Sequence, residues 1–416
     1  MKLLYLANAR IPSEKAHPYQ IVQMCEAFAR AGADVTLLYA DRRNKPHLAT
    51  DDIWGHYGLP RAFPAEKIPA LDVYVVAERL SGPPARAWDK LASLLVMLTY
   101  HLALIARLRP ERDAVLYSRD AVTLAVIAAL WPRRARRAFY EAHTYPRTRV
   151  GGWLRGWLVT RVGGVIVITG HLRERYASLG VPPDRLLVAH DGVRAARFDA
   201  PGPRADCRRE IGWPEDAFIA GYMGRFQTLG MDKGLSDLAD AVAALAADDA
   251  AHPVRLGLVG GPASTVDALR GRLRARGLPP GTILYAGQVP PADVPGYLRA
   301  FDACAMPFPW TEHFAYYASP MKLFEYMASG SPLVATDLPS TAEIVRDGEN
   351  GLLVPPSDVP ALAGALRRLR DDPALADRLA DRAARDVAEH YTWAARAARI
   401  LDFVAGRLPS PGRAAR

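Results

Sequence analysis

Short apolar runs that do not alternate with polar residues recur along the chain. KLLYLAN opens it, DVTLLYA covers 34–40, and AVLYS, AFYEAH and GVIVIT follow. A strand buried on both faces reads this way, because neither face has to suit water. Helical stretches separate the runs, the first over residues 18–31 and ending before Gly32. Strand and helix in alternation predict a parallel sheet wrapped by helices. The rhythm begins afresh at residue 218 with FIAGYMG, a helix over 234–247, and the strands RLGLVGG, ILYAG, ACAMPF, PLVATD and GLLVP. Three helices are predicted near 358–371, 374–389 and 392–407, before a polar tail. The segment between the halves, HDGVRAARFDAPGPRADC, is polar and rich in turn residues, which puts a hinge near 192–203. The prediction is two Rossmann-like, doubly wound domains, 1–195 and 204–390, with helix 392–407 packing back on the first. Two such domains facing each other leave a cleft, and ligands bind there at the carboxyl ends of the strands.

Composition fits this division. A chain of 416 residues is too long for one ordinary core, and half its residues are hydrophobic. Three scattered cysteines, Cys25, Cys207 and Cys304, fit no disulfide framework or metal spacing and suggest a reducing, cytoplasmic setting. The apolar start is too short for a signal peptide and reads as a first strand. The longest apolar stretch, Leu91 to Ala106, has sixteen residues and contains His101. A membrane span needs about twenty, so a buried or interfacial helix is expected.

Charge is uneven. Residues 1–200 hold 29 Lys and Arg against 18 Asp and Glu, and the remainder 24 against 26. The densest cluster is RRARR at Arg133 to Arg137. A basic half points to an anionic partner, or to nothing more than an arginine-rich solvated surface. Nucleic acid is disfavoured, since no aromatics interleave the basic residues and no known module is present. The segment GGWLRGWLVTR at 151–161, with Trp153 and Trp157 four apart, adds an aromatic-basic element. It suggests work at an anionic membrane surface; the alternative is that both tryptophans pack inside the domain.

Candidate chemistry lies just after strands. In SPMKLFEYMASG, Ser319 suits an N-cap, Pro320 the first helical position, and Gly330 the position past the helix end. The helix start, where Met321 and Lys322 follow, is an anion site. Glu325 stands in an otherwise apolar run, three residues from Lys322. Either the two form a plain helix salt bridge, or Glu325 faces a pocket and binds ligand hydroxyls. After FIAGYMG the loop reads GRFQTLGMDKG, with Gly224 and Gly234 allowing close approach. Its Arg225 and Lys233 could neutralise a pyrophosphate, or be unremarkable loop charges.

Taken in order, GRFQTLGMDKG, LGLVGG, YAGQVPPADVPGYLRAFDACAMPF and SPMKLFEYMASGSPLVATDLPSTAEIVRDGENGLLVPPSD resemble the donor-binding domain of glycosyltransferase family 4, which has the GT-B fold. YEAH at 140–143, VAHDGVRAARF at 188–198 and PSEKAHPYQIVQMCEAFARAGADVTLL resemble that family's first domain. The resemblance implies a retaining glycosyltransferase in which Arg225 and Lys233 hold the donor pyrophosphate and Glu325 the ribose hydroxyls. It places base contacts at Gln288 and Val289, His143 near the transferred sugar, and Lys15 and His17 on the acceptor side. The family's first glutamate, paired with Glu325, falls at Tyr317 in this chain, which puts the donor-sugar contacts in question. No metal or other cofactor is expected, because the cations and helix start can stabilise the diphosphate leaving group. The expected partners are a nucleotide sugar and a sugar-containing or lipid-linked acceptor.

Two alternatives stand beside this reading. A nicotinamide-dependent oxidoreductase shares doubly wound domains but requires G-x-G-x-x-G after its first strand. The chain reads ARIPSEKAH there, without glycine. A non-catalytic nucleotide-sugar-binding protein is favoured by Tyr317 and opposed by the retention of Arg225 and Lys233.

Overall fold

The computed structural model describes residues 1–50, 52–74, 82–146, 148–228, 230–248 and 253–408; the polar tail beyond 408 lies outside the described residues. The chain divides into two compact units. The first comprises Met1–Ile168, Leu172–Ala189 and Trp393–Arg416, and the second Thr169–His171 and His190–Thr392.

The first unit is built on seven parallel strands: β1 (Lys2–Ala7), β2 (Asp34–Ala40), β3 (Ala65–Ile68), β4 (Val115–Ser118), β5 (Ala138–Ala142), β6 (Gly164–Val167) and β7 (Leu186–Val188). Their order is β3-β2-β1-β4-β5-β6-β7. The inner strands β4, β5 and β6 are buried at every residue, which is why their sequences do not alternate. Sequence patterning did not mark the edge strands β3 and β7. β3 carries Glu66 and Lys67, a composition that suits an edge with one wet side and hides the strand from a hydrophobic scan.

The second unit holds β8 (Phe218–Arg225), the short hairpin β9 (Gln227–Thr228) and β10 (Met231–Asp232), β11 (Val254–Gly261), β12 (Ile283–Gly287), β13 (Ala303–Met306), β14 (Leu333–Thr336) and β15 (Leu352–Val354). Six of these form a parallel sheet in the order β12-β11-β8-β13-β14-β15. Gly221 on β8 and Gly257 on β11 are neighbours, and the ring of Phe301 lies where a Cβ at either would stand. The two strand glycines therefore make room for one buried aromatic side chain.

Seven helices matter below: α1 (Ala16–Arg30), α2 (Gly82–Leu108), α3 (Ala121–Leu130), α4 (Arg149–Val159), α5 (Leu235–Asp248), α6 (Met321–Ala328) and α7 (Trp393–Ala405). α7 packs on α1 in the first unit, and Phe403 meets Gly164 and Phe139 of that sheet. α2 is longer than the apolar stretch predicted. Among the described residues, its part Trp88–Leu108 alone is long and apolar enough to cross a membrane. It instead lies along its own unit: Ala92, Val96, Tyr100, Leu104 and Leu108 are buried in one stripe, and His101 Nε2 is 3.0 Å from Thr123 Oγ1 on α3.

Candidate functional site

The second unit gathers three cations at the carboxyl end of β8. That strand ends in Gly224 and Arg225, beside Gly260 and Gly261 of β11. Gly224 has φ 131° and Gly260 φ 125°, conformations that side chains disfavour. A Cβ at Gly260 would strike the Gly224 carbonyl, and one at Gly224 would strike Lys322 Nζ. The bare backbone thus lets the Lys322 ammonium settle on the end of β8. Lys322 stands in the first turn of α6, with its Nζ 5.7 Å from the centroid of the Tyr222 ring. Lys233 follows the β9–β10 hairpin. It is 6% exposed, and its Nζ lies 5.7 Å from the centroid of the Phe308 ring. Gly234 beside it has φ 76° and donates its N–H to Asp232 Oδ2 at 2.8 Å, which fixes the turn into α5.

Electrostatics confirm that these cations share one place. Burial pushes the Lys233 amine down to about 7, and the charges of Lys322 and Arg225 push the same way. Lys322 is also lowered, chiefly by burial, with Glu325 opposing and Arg225 adding to the shift. Burial raises the Glu325 carboxyl, against the pull of Lys322 and Arg197. Lys322 and Glu325 feel each other's charge but form no ion pair among the described residues, so the plain salt bridge is not what Glu325 makes. Clustered, partly desolvated ammonium groups are costly until an anion joins them. Next to them stands a carboxylate whose oxygens can accept from hydroxyls.

Other expected residues are placed differently. Ser319 does not cap α6. The helix begins at Met321 with Pro320 as its N-cap, and the buried Ser319 hydroxyl instead accepts the Asp191 N–H at 2.9 Å. Tyr317 is 9% exposed, ends a π-helical turn (His313–Tyr317), and donates its hydroxyl to Glu312 Oε1 at 3.0 Å. A carboxylate, Glu312, therefore stands against the tyrosine that replaces the expected glutamate; linear spacing gave no hint of it. Gln288 is exposed just after β12, and Val289 is half-buried against the core. Arg197, in a short 3-10 turn (Ala195–Phe198), contributes positive field at Glu325 and was not singled out by the sequence.

In the first unit, His143 follows β5 and belongs to a buried polar network centred on Glu141. Glu141 Oε1 is 2.6 Å from His143 Nε2, 2.6 Å from Gln20 Nε2 and 3.0 Å from an Arg396 guanidinium nitrogen. Its Oε2 accepts the Tyr117 hydroxyl at 2.5 Å. Burial alone would raise the Glu141 carboxyl, but Arg396, His143 and Arg119 outweigh it and hold it well below the usual carboxylate range. Burial pushes His143 down to about 3, with Arg119 adding and Glu141 opposing. The imidazole is therefore neutral, donates from Nε2 to Glu141, and keeps Nδ1 as an acceptor. Lys15 and His17 stand exposed at the amino end of α1, with His17 in the field of Arg119 and Glu141. Arg396 lies 255 residues from Glu141 in the chain, so no motif could have joined them.

Comparison with known proteins finds similarity to glycosyltransferases in both units. Residues 19–197 match the family model for Glycosyltransferase Family 4, and residues 217–372 the model for Glycosyl transferases group 1. A D-inositol 3-phosphate glycosyltransferase of Acidothermus cellulolyticus is 36% identical over 46% of this chain and 42% of its own length. One from Streptomyces bingchenggensis is 33% identical over 54% of this chain and 49% of its own. The chain thus spans about half the length of these curated relatives. Among solved structures, Anabaena HepE in complex with UDP and glucose aligns with a TM-score of 0.68 at 18% identity, covering 97% of this chain and 99% of that one. Sucrose-phosphate synthase from Thermosynechococcus elongatus aligns with a TM-score of 0.70 at 19% identity, covering 98% and 99%. These likenesses show the GT-B fold. The two family models span most of the chain between them, and together with these relatives they support a glycosyltransferase of family 4.

Proposed function

We propose that this chain is a retaining glycosyltransferase that moves a sugar from a nucleotide-sugar donor to a glycan, lipid-linked or small-molecule acceptor. The observation that carries the reading is the cluster of Arg225, Lys233 and Lys322 at the end of β8, with Glu325 one turn further along α6. The donor pyrophosphate binds the cations and the first turn of α6, and Glu325 accepts hydrogen bonds from the ribose hydroxyls. Gln288 and Val289 border the base. As the anomeric carbon–oxygen bond breaks, the electron pair goes to the diphosphate. The cations meet that charge in place, without reorganisation. In this proposal no metal is required. Burial and the charge of Arg119 keep His143 neutral, and the hydrogen bond to Glu141 orients it, so that Nδ1 can accept from a sugar hydroxyl.

Binding of the donor raises the Lys233 amine from about 7, since an anion favours the ammonium form. Three cysteines, all free and buried, suit a reaction in the reducing cytoplasm. UDP is a sensible first nucleotide to try, since Anabaena HepE was solved with it. The test is release of nucleoside diphosphate from a panel of nucleotide sugars with candidate acceptors and excess chelator. Turnover should persist in chelator and fall on the order of a hundredfold in Lys233→Ala. Activity that vanishes with chelator and returns with magnesium would overturn the metal-free mechanism. Tight donor binding without any transfer would favour the non-catalytic alternative.

A further inference from the structure

We propose that the layer formed by α2, α3 and α4 in the first unit is a docking face for an anionic lipid bilayer. From Leu91 to Ala106 α2 carries no Asp, Glu, Lys or Arg, yet only one of its faces is covered. Leu91, Leu94, Leu98 and Leu102 are 43–60% exposed and recur at three- and four-residue spacing, opposite the buried stripe of Ala92, Val96, Tyr100 and Leu104. A helix apolar on every side normally lies in a core or in lipid. The neighbouring helices continue the surface. Val122 and Leu130 are exposed on α3, as are Val150 and Trp153 on α4; Trp153 is 70% exposed. Leu71, whose N–H donates to Thr99 Oγ1 of α2 at 2.8 Å, is exposed beside them. Nine of the eleven large hydrophobic residues exposed among the described residues lie on this layer or against it. Exposed apolar residues gathered on one layer in this way mark an interaction site.

Charge selects the occupant. Lys90, Arg133, Arg136 and Arg149 are exposed on or beside the three helices, where Asp89 is the one acid within Trp88–Leu108, α3 and α4. A second copy would bring like charges together, whereas a bilayer with anionic headgroups offers both hydrocarbon and negative charge. One face of α2 is fixed to its own sheet, so the helix lies in the plane of the membrane surface rather than across it. Trp153 suits the interfacial depth. This corrects the expected footprint in part. Arg134 and Arg137 of the RRARR cluster are tied to the Glu111 and Asp113 carbonyls, Arg161 covers the half-buried Trp157 at 4.4 Å, and the apolar contact comes mainly from α2.

The test is sedimentation of the full chain with vesicles of phosphatidylcholine alone, or of phosphatidylcholine with phosphatidylglycerol, at low salt. The chain should sediment with the anionic vesicles alone. Leu94→Glu/Leu98→Glu should weaken binding at least about tenfold. Arg133→Glu and Arg136→Glu should each weaken it about fivefold. Trp310→Glu, in the second unit and 58% exposed at the start, should bind like the wild type. In Leu98→Cys, the other thiols being buried, a polarity-sensitive dye should shift to the blue on anionic vesicles. The proposal fails if the wild type stays in the supernatant, if Leu94→Glu/Leu98→Glu sediments unchanged, if Trp310→Glu loses binding equally, or if the dye does not respond. It also fails if the wild type forms a concentration-dependent dimer that the leucine variant abolishes while vesicles bind neither, since a second copy is then the occupant.

Discussion

Replacing Lys233 with methionine should make the unliganded protein more stable and its nucleotide binding much weaker. Burial and two neighbouring cations lower this amine from 10.5 to about 7. At pH 7 the unfolded chain holds the proton almost fully, while the folded protein holds it about half the time. Integrating that difference gives about 4 kcal/mol of destabilisation. Methionine keeps the apolar stem and removes the charge, so the variant should gain up to ~4 kcal/mol. The sign sets the pH window. The penalty is fully present below about pH 7 and fades as pH rises toward 10.5, where the unfolded lysine also loses its proton. Urea denaturation of wild type and variant at pH 7 and pH 10 measures this, with a large difference at the lower pH and a small one at the higher. Calorimetry with UDP should show a loss of roughly 1.5–3 kcal/mol, the value of hydrogen bonds to charged groups. A variant that is less stable than wild type at pH 7 and binds UDP equally well would refute the reasoning.

Three further outcomes follow from single contacts. Glu325→Ala should weaken UDP binding by roughly 1.5–3 kcal/mol in calorimetry, but not the binding of inorganic pyrophosphate, which lacks the ribose. Gly224→Ala combines a φ of 131° with a Cβ placed on Lys322, so it should lower both thermal stability and nucleotide affinity. Arg396→Met leaves Glu141 as a buried, under-compensated carboxylate and should cost about 3–5 kcal/mol at neutral pH. The depressed Glu141 carboxyl contributes stability above the ordinary carboxylate range, lost as pH falls through its folded value, so the deficit of the variant should shrink in acid.

Strands buried on both faces and the loops after them could be read from the chain. So could the grouping of Gly224, Arg225, Lys233, Lys322 and Glu325, because each lies within a local signal: a strand end, a glycine turn or a helix start. The register of α6 could not be read, since the Ser319 hydroxyl is taken by the Asp191 N–H, a partner 128 residues away. Nor could the network around Glu141. Four elements supply Gln20, Tyr117, His143 and Arg396, and only the packing of α7 on α1 brings the arginine to the carboxylate. The exposed leucine face of α2 was half visible: the run was clearly apolar, but sequence alone cannot tell which face a sheet will cover.

A crystal structure of the full chain with UDP tests the central claim most directly. It should show the diphosphate within hydrogen-bonding distance of Lys233 and Lys322 Nζ, with both ribose hydroxyls donating to Glu325. A nucleotide bound away from the end of β8, with Glu325 touching none of it, would contradict the account.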